Sequence, residues 1–107
     1  MQTLAMRLSD AIRRGALLHP QAFYCSHEWD RDGVVIASCA LGAAEDAGFD
    51  TLSSAAVYAD VLGRPVCPIC HLRIDFPYRL VTHLNDRHRW RRERIADYIA
   101  SFESGGE

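Results

Sequence analysis

The chain has 107 residues, 49% of them hydrophobic and 24% charged, with a formal net charge of −2. This length and composition fit one folded globular domain and argue against a disordered protein. No run reaches the ~18–20 consecutive apolar residues of a bilayer span, and no cleavable leader is recognisable, so we predict a cytoplasmic protein with no membrane partner.

The sequence of residues 1–64 predicts a helical N-terminal part that packs on the rest of the chain. A first helix is expected with Ser9 as its N-cap. Apolar runs on either side of residues 30–33 predict two short extended pieces joined by a turn. Two further helices follow, the first capped by Ser38 and the second ending at Gly63.

The sequence of residues 65–104 predicts a second unit, a short hairpin followed by helices. The expected fold class is therefore α+β, mainly α. The sequence alternates around a C-x-x-C turn like a short hairpin, and Asp75 is a suitable N-cap for a helix over about 77–88. Residues 91–103 predict a C-terminal amphipathic helix, which we expect to be separated from the preceding helix by a bend. Residues 105–107 are expected to form a disordered tail.

Four metal-ligating side chains follow one another as Cys67-x2-Cys70-x12-His83-x4-His88. A C-x-x-C turn offers two thiolates, and two histidines about one helical turn apart offer two imidazoles, which together satisfy tetrahedral zinc. All four positions are protein side chains, so no position is left for water or substrate. We therefore predict one structural Zn²⁺, no enzyme activity and no small-molecule substrate.

With Ile74 and Leu80 at the apolar positions between the ligand pairs, residues 67–88 resemble the C2H2 zinc finger. That family usually has an aromatic residue in place of Ile74. The stretch "HLNDRHRWRRERIADY" is more weakly similar to Ros-type single-finger bacterial regulators, in which the loop between the ligand pairs is shorter. Its "HLND-x-H-x-W" phrase is similar to segments of small bacterial and prophage proteins. The resemblance implies a ββα finger and a DNA-binding, regulatory role.

Charge is unevenly distributed along the chain, and the basic part coincides with this finger-like segment. Residues 1–66 contain five arginines and eight acidic residues, whereas residues 67–94 contain seven arginines and three acidic residues. Such asymmetry favours a polyanionic partner, here duplex DNA. The resemblance places Phe76, Arg79 and Thr82 at base-reading positions, although Phe76 cannot hydrogen-bond to a base. The expected nucleic-acid contacts are Arg79, Thr82, Arg87, Arg89, Arg91 and Arg92.

Two alternatives stay open at this stage. The arginines could instead form a solvated face with ion pairs to Asp86, Glu93 or Asp97. The protein would then be a zinc-stabilised interaction module, an adaptor or an inhibitor, that binds another protein. Its candidate anchors are the aromatic residues Trp29, Tyr78 and Trp90.

A second metal site is the remaining candidate for chemistry. Its donors would be His19, Cys25, His27 and Cys39, but their spacing matches no metal-binding turn that we can justify. We expect packing or surface roles for these four side chains.

Overall fold

The computed structural model describes residues 6–62, 65–74 and 76–104. Within these ranges the fold is α+β and mainly helical, as predicted, with five helices and one two-stranded antiparallel hairpin. No helix in the described part of the chain is long and apolar enough to cross a bilayer. The predicted disordered tail, the predicted cap Asp75 and the predicted helix end Gly63 lie outside the described residues.

The elements, in chain order, are α1 (Leu8–Ala16), β1 (His27–Trp29), β2 (Val35–Ser38), α2 (Ala40–Asp46), α3 (Thr51–Leu62), α4 (Pro77–Asp86) and α5 (Arg92–Ser104).

The hairpin forms where the sequence predicts it. Strands β1 and β2 pair antiparallel, with His27 opposite Ser38, and a bulge shifts the register before Trp29. In the turn between them, the Asp30 carboxylate accepts hydrogen bonds from two backbone N–H groups, and Gly33 takes a positive φ of 82° that glycine adopts without strain.

Helices α1 and α2 cross closely because a glycine lies at their contact. A Cβ atom at Gly15 would lie 1.7 Å from the carbonyl oxygen of Ala43, which no side chain could tolerate. The N-cap of α2 is Cys39, whose Sγ accepts from the Gly42 N–H at 3.3 Å, so the prediction of Ser38 as the cap is wrong by one residue. Ser38 is instead fully buried at the end of β2.

The start of α1 is held by the opposite end of the chain. The helix begins at Leu8 with Arg7 as its N-cap, two residues earlier than a Ser9 cap would place it. Ser9 instead donates to the Glu103 carboxylate of α5 from both its N–H and its hydroxyl. Tyr58 of α3 also donates to Glu103, and its hydroxyl accepts from the Leu8 N–H at 2.7 Å. Burial is the main cause that raises the pKa of the Tyr58 phenol, and the hydrogen bond to Glu103 raises it further. The phenol therefore stays neutral and can donate.

One hydrophobic core runs through the molecule and receives side chains from the N-terminal part and from α4 and α5. Its larger members are Leu8, Ile12, Phe49, Tyr58, Ile74, Tyr78, Leu80, Leu84, Trp90, Ile95 and Ile99. The two predicted parts of the chain thus share a core, as expected for a chain of this length.

The fully buried amide of Asn85 joins α4 to the N-terminal part. Its Oδ1 accepts from the Ala40 N–H at 3.0 Å and from Gln21 Nε2 at 2.8 Å. Its Nδ2 donates to the Ala22 carbonyl at 2.9 Å and to Asp86 at 2.8 Å. Every hydrogen-bonding position of the amide is therefore used, as a buried polar group requires.

Replacing Asn85 with leucine, which has a similar volume, should lower the free energy of unfolding by about 2–4 kcal/mol, because the Ala40 N–H and the Ala22 carbonyl would stay buried without partners. Urea denaturation of the metal-loaded protein measures this loss. The matched control is Thr82→Val on the same helix, which should change stability by no more than about 0.5 kcal/mol. A loss for Asn85→Leu as small as the control's would contradict the role given to the amide.

Candidate metal centre

A compact turn presents the two cysteines. The Cys67 N–H donates to the Leu72 carbonyl at 2.9 Å, and the His71 N–H donates back to the Cys67 carbonyl at 3.0 Å. The Ile69 N–H points at Cys67 Sγ, 3.4 Å away, a contact that stabilises a thiolate. His71 closes the turn with a positive φ of 62°.

The described residues on either side of this turn do not form the two-stranded hairpin that the resemblance implies. Val66 and Arg73 make one isolated antiparallel bridge, and no named strand lies in residues 65–74. The turn is therefore joined to a helix, but a complete ββα unit is not formed in the part of the chain that is described.

The two histidines come from α4 and from the turn that follows it. His83 lies in the last turn of α4, whereas His88 comes after the helix ends at Asp86, with Arg87 as the C-cap. Arg89 then takes a positive φ of 52°, and the chain turns into α5. The predicted helix over 77–88 is thus two residues too long, and α4 and α5 are separate helices.

The four ligand atoms converge on one small volume. They all lie within 4.8 Å of one another, and Cys70 Sγ is 3.4 Å from His83 Nε2. The His83 and His88 rings meet edge to face, with their centroids 4.9 Å apart. Tetrahedral zinc, with Zn–S of about 2.3 Å and Zn–N of about 2.0–2.1 Å, needs ligand atoms roughly 3.3–3.8 Å apart. Cys67, Cys70, His83 and His88 therefore lie close enough to hold a metal ion.

The environment of the histidines fits a metal. His88 Nε2 is buried and has no hydrogen-bond partner among the described residues, and a buried polar atom of this kind normally has one. Burial, and then the nearby His88 and Arg87, lower the pKa of His83, so its imidazole is neutral near pH 7, which is the form that binds a metal. The donor set of two sulfurs and two nitrogens suits zinc.

The other candidate donors are not brought together. In the described ranges, only the four residues above form a cluster of three or more metal-ligating side chains. His27 Nε2 lies 2.9 Å from Asp46 Oδ1, Cys39 caps α2, and Cys25 is exposed. These contacts agree with the packing and surface roles expected from the sequence.

Most of the predicted nucleic-acid contacts lie at the surface. Arg79, Arg87, Arg89 and Arg91 are exposed. Thr82 is partly buried, and its hydroxyl donates to the Arg79 carbonyl of its own helix at 3.1 Å.

Arg92 is placed differently from the prediction. It is only 6% exposed, and burial lowers the pKa of its guanidinium. The guanidinium donates to the carbonyls of His19 at 2.7 Å and Ala16 at 3.3 Å, where α1 ends, and to Ser38 at 3.2 Å. Because these groups occupy it inside the protein, we leave Arg92 out of the proposed contact surface.

One neighbour of the four candidate ligands has no signal in the sequence. Tyr24, from the segment between α1 and β1, lines a surface depression together with three of the four ligands and with Arg87. No spacing rule connects Tyr24 with a ligand in the last third of the chain, so only the fold reveals their proximity.

No family model matches this chain, and no curated protein and no solved structure matches it either.

The geometry predicts one equivalent of bound zinc per chain, measured by elemental analysis after gel filtration. Cys70→Ser should lose the metal and the order of the cysteine turn, since it removes a thiolate from a site with no spare ligand. The control is Cys25→Ser, an exposed cysteine outside the cluster, which should keep full zinc content. Equal zinc content in the two variants would exclude Cys70 as a ligand.

Proposed function

We propose that this is a zinc-stabilised nucleic-acid-binding protein, in which the metal fixes the cysteine turn against α4 and exposed arginines around it contact phosphates. The observation that carries the proposal is that these arginines lack partners within the described part of the chain. The side chains of Arg73, Arg79, Arg87 and Arg91 are exposed and make no hydrogen bond or ion pair with any other described residue.

The acids that could have neutralised the arginines are engaged elsewhere. Asp86 accepts from the Tyr24 N–H and from Asn85. Asp97 lies 2.8 Å from Arg13 of α1. Within the described chain no ion pair joins Asp86, Glu93 or Asp97 to an arginine of residues 67–94, so these acids do not neutralise the basic segment. An unpaired cluster of cations supports a polyanionic partner.

The spacing of the arginines relates them to the metal ligands. Arg79, His83 and Arg87 stand four residues apart, which places them along one side of α4 over about 12 Å. Arg87 also borders the same surface depression as His83 and His88. A zinc ion bound to these histidines would lock the cysteine turn to this side of the helix and would contribute structure rather than catalysis. The proposal accordingly contains no enzymatic step.

The face of α4 supports phosphate contacts more than base reading. Tyr78, Leu80, Val81 and Leu84 are buried in the core, so only a narrow strip of the helix faces solvent. On that strip the Thr82 hydroxyl is already bonded to the helix backbone. The arginines reach outward, and phosphate contacts fix position without reading sequence. A regulatory role and a cytoplasmic location stay predictions from the sequence.

Titration of fluorescent duplex DNA at several salt concentrations tests the proposal. Affinity should fall steeply with salt, and Arg79→Gln/Arg87→Gln should reduce the slope of log K against log salt by about two, roughly one for each lost phosphate contact. The control, Arg14→Gln/Arg31→Gln, removes the same charge from α1 and the hairpin turn and should leave the slope unchanged. Absence of binding to any nucleic acid at the lowest salt would refute the proposal.

A protein-interaction module is the second candidate, and the hairpin favours it. Trp29 is 58% exposed, and the neighbouring Val34 and Ile36 are also exposed, whereas the other two predicted anchors, Tyr78 and Trp90, are buried. An exposed tryptophan beside aliphatic side chains is typical of binding surfaces. Under this account Trp29→Ser would abolish binding to a purified partner, and the arginine variants would not.

A further inference from the structure

A depression in the surface lies beside the metal ligands. Cys70, His83 and His88 line it, whereas Cys67, which is fully buried, does not. The depression therefore extends outward from the ligand cluster, beyond the space that a metal would fill. The residues that line it apart from the ligands are Tyr24, His71, Leu72 and Arg87.

Tyr24 is held at the edge of this depression in a conformation that costs energy. Its φ is 65°, in the left-handed region that a bulky residue rarely adopts, and its side chain is 68% exposed. The Tyr24 N–H donates to Asp86 Oδ1 at 2.9 Å, just beyond the ligand His83. An exposed ring on a strained backbone contributes little to the core, and strain of this kind points to a binding role.

The segment before Tyr24 is anchored to the same end of α4. The Ala22 carbonyl accepts from Asn85, and the guanidinium of Arg89 lies 4.5 Å from the centre of the Phe23 ring. These contacts fix the backbone that carries Tyr24, so the segment is positioned before any ligand arrives. Preorganisation of this kind lowers the entropy lost on binding.

The chemistry of the depression combines an aromatic ring, an aliphatic wall and an unpaired cation. Tyr24 offers a face for stacking, Leu72 is 55% exposed, and Arg87 has no ion-pair partner among the described residues. The carboxylate of Asp86, the residue before Arg87, is already bonded to two N–H groups. These three side chains suit an unpaired nucleobase with its flanking phosphate. Proteins bind single strands by stacking bases on aromatic side chains and by contacting phosphates with arginine. Bases within a duplex are stacked on each other and cannot offer a face.

Resting on the nucleic-acid-binding function proposed above, we infer that this depression is a subsite for single-stranded nucleic acid, in which an unpaired base stacks on Tyr24 and the adjacent phosphate contacts Arg87. The preferred ligand is then a single strand, or a junction with unpaired bases, and the base is held by its face rather than by its hydrogen-bonding edge.

The test uses the zinc-loaded full chain and measures affinity by fluorescence anisotropy for a single-stranded DNA, a single-stranded RNA of the same sequence and the corresponding DNA duplex. At least one single strand should bind more tightly than the duplex. Tyr24→Ala should weaken single-strand binding roughly 5- to 150-fold, the loss of one stacked base, and leave duplex binding unchanged. Tyr24→Phe, which keeps the ring, should stay within about twofold of the parent protein.

Three further controls accompany these affinity measurements. Zinc content and circular dichroism show whether each variant is folded, and Tyr24→Leu, of more similar volume, replaces the alanine variant if that variant loses its metal. An oligonucleotide made only of abasic sites should bind the parent protein as weakly as the normal strand binds Tyr24→Ala. Adenosine monophosphate should compete far less well than the oligonucleotide.

Failure of the single-strand subsite can be distinguished from failure of the proposed nucleic-acid function. Duplex binding equal to or tighter than both single strands, or an unchanged affinity in Tyr24→Ala, would overturn the single-strand subsite and leave the proposed nucleic-acid function standing. Competition by the mononucleotide at the affinity of the oligonucleotide would also overturn it. If neither duplex nor single strand binds at low salt, the proposed function and this inference fall together.

Discussion

The buried amide of Asn85 is the constraint on which the rest of the structure depends. It lies between the two histidine ligands in the sequence and spends its hydrogen bonds on Gln21, Ala22 and Ala40 of the N-terminal part. A helix that is fixed in this way cannot rotate without leaving buried polar groups unpaired. The direction in which His83 points is therefore set by the N-terminal part, which acts as a support for the metal ligands.

This constraint explains how α4 combines two roles. Leu80 and Leu84 enter the core, and His83, on an adjacent side of the helix, contacts Cys70 of the cysteine turn. A metal bound to the four ligands would hold the exposed turn, which has little core of its own, against a helix that is already anchored. The exposed Arg79 and Arg87 have no ion-pair partner among the described residues, which is the basis for proposing a polyanionic ligand.

Much of this arrangement could be predicted from the sequence, and the rest depended on contacts between distant segments. Local signals identified the turn at 30–33, the mainly helical fold and, by their spacing, the four side chains that lie close enough to hold a metal ion. The expected cap at Ser9 is wrong because Glu103, from the other end of the chain, takes its hydrogen bonds. Arg92 looks like its basic neighbours in the sequence, yet it is buried against the end of α1, a contact that no local pattern records.

X-ray absorption at the zinc edge of the purified protein tests the central claim most directly, because it reports the atoms bound to the metal. We expect one zinc per chain, with two sulfur neighbours at about 2.3 Å and two imidazole nitrogens at about 2.0–2.1 Å. A spectrum with bound water or carboxylate oxygen in place of a cysteine or histidine, or a folded protein that contains no zinc, would contradict the account.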